Sequence, residues 1–134
     1  MKSWALVLTV LFFLAGSDAT ETKTPSVKEI MQKLHGGKGL RIKLNKDMRA
    51  EKLDWTEIQK DTKEILKFAE ALPKNEPPRG EKESWQKLSE VYIANAKALD
   101  TAADKQDTAS LKSAFAKMGG SCTKCHNAHK PPMD

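Results

Sequence analysis

Apolar residues along this 134-residue chain recur at steps of three and four, and nowhere alternate with polar ones over the length of a strand. Four segments carry that helical period. In the first, Val27, Ile30, Met31 and Leu34 share one face, and Ser26 with Glu29 makes a capping-box start. The run then meets Gly36-Gly37-Lys38-Gly39 and resumes with Leu40, Leu44 and Met48, which predicts one long bent helix or two short ones. The second segment opens at Asp54 with Glu57 as its capping-box partner. It carries Trp55, Ile58, Thr62, Ile65, Ala69 and Leu72, and Pro73 stops it. Leu72 to Gly80 holds three prolines and a glycine and reads as a linker. The third segment carries Trp85, Leu88, Tyr92, Ala96, Leu99 and Ala103, and a polar turn around Asp104 to Asp107 closes it. In the fourth, Leu111, Phe115, Met118, Cys122, Cys125 and His129 recur at steps of four, three, four, three and four. Both cysteines therefore continue the apolar stripe of a helix. Amphipathic helices joined by short loops predict an all-α fold, an antiparallel four-helix bundle, with Trp55, Trp85 and Tyr92 as core.

The first twenty residues follow a different pattern. Lys2 precedes an apolar run from Trp4 to Ala15 and then small and polar residues, the layout of a secretory signal peptide too short to span a bilayer. Ser17 and Ala19 fit the small-x-small rule, so residues 1–19 are expected to be removed and residues 20–134 to form one domain in the periplasm. Nothing later is apolar enough for stable membrane insertion. The formal net charge is +5, with lysine and glutamate interleaved along the chain. That makes a solvated surface with mild attraction to an acidic partner. There is no arginine cluster to suggest nucleic-acid binding.

The chemistry concentrates in Gly-Gly-Ser-Cys-Thr-Lys-Cys-His-Asn-Ala-His-Lys, residues 119–130, which holds both cysteines and two of the three histidines. Three readings compete. A redox dithiol belongs at the start of a helix, whereas Cys122 and Cys125 lie near the end of one, where the helix dipole opposes a thiolate. A zinc site would take Cys122, Cys125 and His126 or His129, but structural zinc draws its ligand pairs from separate segments, and ligands crowded on one helix splay poorly around a tetrahedral ion. Covalent attachment of haem c uses every residue of the motif. Two thiols three apart on one face form thioethers with the two vinyl groups, and His126 projects toward the iron as proximal ligand. Gly119 and Gly120, one turn earlier, fit a flat macrocycle lying close to the backbone, or a local break in the helix.

A C-terminal Cys-Thr-Lys-Cys-His on the last helix of a four-helix bundle, with the basic Lys130 four residues after His126, resembles the cytochrome c′ family, the class II c-type cytochromes. The resemblance covers the whole of residues 20–134 and implies one covalently bound haem c and its iron. It departs from the family at His129, where an aromatic residue is frequent. In that family, high-spin members leave the distal side of the iron open behind an apolar residue of the first helix and bind nitric oxide or carbon monoxide. Low-spin members supply a methionine from that helix and carry electrons. Met31 falls at the position of that methionine; a thioether sulfur is a soft ligand that favours reduced iron. His35, one turn further on the same face, is the rival ligand, and an open site is the third alternative. Met48, Met118 and Met133 are weaker candidates. Lys28 lies near enough in sequence to Met31 to approach a haem propionate, or simply to be a solvated lysine.

The function expected is a periplasmic monohaem cytochrome passing single electrons to an unidentified redox partner of acidic character. A gas-binding cytochrome c′ is the alternative, and a zinc-bound helical interaction module a more remote one. Carboxylates are spread over solvated faces and no nucleophile has a matching base, so no enzymatic activity is expected. Monomer and homodimer are both compatible with the sequence.

Overall fold

The computed structural model describes residues 22–132; the expected signal peptide, residues 1–19, and Met133 lie outside the described residues. Five α-helices make up the bundle: α1 (Val27–His35), α2 (Leu40–Asp47), α3 (Trp55–Ala71), α4 (Lys82–Asp104) and α5 (Thr108–His129). A single 3-10 turn, Leu72–Lys74, follows α3, and there is no strand among the described residues. The first segment is thus two short helices, which together form one arm of the four-helix arrangement. Its start is as expected. The Ser26 hydroxyl accepts from the Glu29 N–H at 3.2 Å while the Glu29 carboxylate accepts from the Ser26 N–H at 2.7 Å.

The start of α3 departs from the sequence reading. Asp54 accepts from the Glu57 N–H at 3.2 Å, but the Glu57 carboxylate does not turn back to complete the box. It bonds to Lys43 Nζ at 3.2 Å instead. Lys43, on α2, also reaches Asp47 at 3.3 Å and Asp61 at 2.7 Å, and Asp61 is buried. A carboxylate removed from water needs a charged partner, so this lysine binds α2 to α3 around Asp61. Hydrogen bonding to Asp61 above all, and then to Glu57 and Asp47, holds the Lys43 ammonium above the ordinary lysine range against the opposing effect of burial.

Cross-links fix the antiparallel order. Near the start of α3, Gln59 donates to the Ala103 carbonyl at 3.1 Å and Thr62 to Asp100 at 2.8 Å, both near the end of α4. At the opposite end, Gln86 donates to the Pro73 carbonyl at 2.9 Å and Trp85 Nε1 to the Asn75 carbonyl at 2.9 Å. Asn75 also donates to the Pro25 carbonyl at 3.0 Å and the Ala71 carbonyl at 3.1 Å, tying the chain before α1 to the end of α3. The proline-rich stretch is therefore an ordered clasp across one end of the bundle, and more than a spacer. Gln106 adopts a positive φ of 53° in the tight turn before Asp107, which caps α5 by accepting from the Ser110 N–H.

The core runs the length of the bundle through Ile30, Leu34, Leu44, Ile58, Ile65, Leu99, Leu111 and Met118, all fully buried. Each side chain of that size contributes roughly 1.5–3 kcal/mol by leaving water. Trp85 and Tyr92 are buried as expected, while Trp55 is half-buried against the same cluster. Close packing joins α4 to α5, α3 to α4, and α1 and α2 to each other and to α3. The pair α1–α5 is not among them, and the site lies in the gap between those two helices.

Candidate functional site

Cys122 and Cys125 are one turn apart on α5, both free and both half-buried against the core. The apolar stripe of α5 thus continues through them, but at this end it faces a cavity instead of a neighbouring helix. The cavity has a volume of about 450 Å³, within the range of small-molecule and cofactor sites. Met31 and His35 of α1, Cys125, His126 and His129 of α5, and Trp85 and Pro78 line it. Lys28 and Lys130 also line it, and both are exposed. A smaller recess deeper in the bundle is lined by Met31, His35, Cys122, Cys125 and His126 together with Ser89 and Tyr92. The hydroxyls of Ser89 and Tyr92 are buried there with no hydrogen-bond partner.

The structure thus brings the four expected site residues to one recess: Cys122, Cys125 and His126 from α5, and Met31 from α1. It also brings His35 to the same walls. Burial pushes both thiols up, that of Cys122 against the pull of the Arg41 charge and that of Cys125 with added repulsion from Cys122. Redox dithiols need the opposite shift. Burial lowers His126, with the nearby Lys130 charge adding to it, and burial pushes His35 down from 6.5 to about 4, helped by the charges of Arg41 and His126. Both imidazoles are therefore held neutral near pH 7, the form in which a ring nitrogen can donate its lone pair to a metal.

His129 is used differently. It is 2% exposed, and both ring nitrogens are engaged: Nδ1 lies 2.6 Å from the Arg79 carbonyl and Nε2 lies 3.1 Å from the Ser84 hydroxyl. A carbonyl can only accept, so Nδ1 carries the proton and Nε2 accepts from Ser84. The ring meets Trp85 edge-on at 5.3 Å. With no lone pair left over, His129 cannot ligate a metal, which removes the fourth ligand of a zinc site. Among the described residues no three His, Cys, Asp or Glu side chains converge on a point that would hold a metal ion alone.

Of the two explanations the sequence offers for the glycines before the motif, a local break is excluded, and Gly119 gains a further one. Helix α5 runs through them without a break. A Cβ on Gly119 would lie 3.1 Å from Arg41 Nη2, so Gly119 leaves room for a guanidinium from α2, while Gly120 borders open space. Arg41 stacks over the Phe115 ring at 4.7 Å and donates through Nη1 to Cys122 Sγ at 3.7 Å. The sequence reading missed this residue. The available signal was a lone arginine at i−3 from Leu44 and i−7 from Met48, on the apolar face of α2.

An all-helical bundle whose last helix presents Cys-x-x-Cys-His to an apolar cavity has the arrangement that covalent haem attachment requires. The family model described as Cytochrome C' matches residues 80–130, which span α4, the following turn and all of α5. No curated protein and no solved structure matches the chain. Over that stretch the chain is similar to the class II c-type cytochromes, a family that carries covalently bound haem c. The residues present fit that group. Two free thiols share one face, a neutral imidazole follows directly, and the cavity between α1 and α5 is mostly apolar. The match begins after α1, so Met31 and His35 lie outside it.

Proposed function

We propose that the protein is a periplasmic monohaem cytochrome that carries single electrons, with Cys122 and Cys125 as the thioether anchors, His126 as the proximal ligand and Met31 as the distal one. Haem c, when bound, supplies the one-electron chemistry of its iron. Cys122 and Cys125 hold it to α5 from two points one turn apart, which sets its orientation relative to the helix. His126 offers a neutral ring nitrogen next to the second anchor. Met31 offers a soft sulfur from the facing helix, a donor that favours reduced iron. The observation that carries the reading is that Met31 and His126, from different helices, line the same two cavities. Trp85 and Pro78 add apolar lining to the cavity. Lys28 and Lys130 at the mouth, with the net charge of +5, suit transient docking of an acidic redox partner.

A second reading has its own observation. His35 lines the same cavities and is held neutral by burial, which favours a bis-histidine iron over a histidine–methionine one. Absorption spectra of the purified haem protein and of its Met31→Ala and His35→Ala variants separate these. With Met31 as ligand, Met31→Ala keeps the haem, loses the iron–sulfur band of the oxidised protein, lowers the potential and opens the iron to carbon monoxide, while His35→Ala does none of this. The reverse pattern assigns His35. A wild type that is high-spin and binds carbon monoxide readily is a gas-binding cytochrome c′ and overturns the carrier reading.

A further inference from the structure

Arg41 lies beside the site, and neither thioether attachment nor iron ligation uses it. It leaves α2 and crosses to α5, where the guanidinium lies over Phe115 at 4.7 Å and reaches Cys122 Sγ at 3.7 Å. Its Nε is buried with no hydrogen-bond partner, and among the described residues no carboxylate forms an ion pair with it. The acidic residues of α2 and α3 nearest in sequence are taken by Lys43. Leaving a cation half-buried and unpaired costs free energy that a surface position would not. The aromatic face offsets part of that cost, and Gly119 gives up a side chain to admit it. A guanidinium keeps its charge inside proteins where a lysine can lose it.

We propose that Arg41 sets the reduction potential, as a fixed internal positive charge held against the thioether-bearing edge of the haem. The inference rests on the haem reading above and adds to it a residue that touches neither iron nor ligand. Taking up one electron lowers the charge at the iron by one, so a nearby unpaired cation favours the reduced state. A unit charge within about 10 Å at an effective dielectric near 20 shifts such an equilibrium by on the order of tenfold. Being shielded from solvent, the effect persists at salt concentrations that screen surface lysines.

The test is a redox titration of the holoprotein, followed by its absorption, for wild type, Arg41→Gln and Arg41→Lys at low and high salt. Arg41→Gln is expected to raise the oxidised-to-reduced ratio at fixed solution potential about tenfold, which is a midpoint lower by about 59 mV for one electron. The iron-ligand bands stay unchanged, Arg41→Lys restores most of the shift, and salt does not abolish it. An unmoved midpoint in Arg41→Gln overturns the proposal. So does an equal shift in both variants, which would refer the effect to packing, and so does loss of haem from either, which would make Arg41 an attachment residue. A wild type with no haem band fails the underlying reading instead, before either variant is compared.

Discussion

His129 gives the sharpest stability test, because its role is fully described by contacts. It joins the last turn of α5 to the clasp through Arg79 and to the start of α4 through Ser84 and Trp85. His129→Leu keeps apolar volume at a buried position and removes both hydrogen bonds and the edge-on ring contact. Two neutral hydrogen bonds are worth about 1 kcal/mol each, and the ring contact about 0.5–1.5 kcal/mol, so the variant should lose about 3 kcal/mol. His129→Phe keeps the ring and should lose about 2 kcal/mol. Urea unfolding of the holoprotein, followed by helix content, measures both. Because His129 has no free lone pair, the iron-ligand bands should be those of wild type in each variant. Equal stability of wild type and His129→Phe would refute the assignment of the two hydrogen bonds. A changed ligand spectrum in the folded variant would refute the claim that His129 only positions α5.

Two more outcomes follow from the same end of the bundle. Gly80 sits at φ 79° with the Ala128 carbonyl 2.8 Å from where a Cβ would be, so Gly80→Ala meets both a left-handed backbone and a clash. It should lower stability by about 2 kcal/mol or more in the same urea assay, and a loss under half that size would show that the clasp yields freely. His35 titrates near 6.5 when unfolded and at about 4 in the folded protein, so the unfolded chain binds the proton first as pH falls. Its contribution is fully present above pH 6.5 and is lost as pH drops toward 4. Thermal unfolding across that window should therefore be less steep in pH for His35→Leu than for wild type, and parallel curves would contradict the burial of this imidazole.

What could be read from the chain divides by sequence distance. Cys122, Cys125 and His126 are adjacent, so their chemistry is written locally, and the α5 stripe leading to them follows from a helical repeat alone. The break between α1 and α2 was legible as two outcomes because glycines announce a turn but not its angle. Arg41 was missed because its contact to Cys122 spans 81 residues. The same holds for His129, whose partners Arg79 and Ser84 lie 50 and 45 residues away. The buried Asp61 was hidden by its own periodicity: an aspartate beside Thr62 on α3 reads as solvated until Lys43 is found opposite. Glu57 shows the converse, since a local capping box was outcompeted by a cation from another helix.

The glycine break bears on the cavity as well. Gly39 packs so closely under α1 that a Cβ would lie 2.7 Å from the Leu34 carbonyl oxygen and 2.9 Å from the Gly36 nitrogen, both of them backbone atoms that cannot rotate aside. The tight turn lets α2 leave at an angle to α1. One unbroken helix would carry a single direction, and either both halves or neither would follow α5. Two short helices divide the task. α2 reaches α5 through the side chain of Arg41 and is bound to α3 by Lys43, while α1 is held by α3 and by Asn75 at Pro25. That arrangement keeps α1 in place while leaving its Met31–His35 face without a helix against it. A methionine and a neutral imidazole exposed to an apolar gap would be poor design for a core alone. They make sense where a flat group fastened to α5 completes the packing, and this ties the turn at residues 36–39 to the motif at residues 122–126.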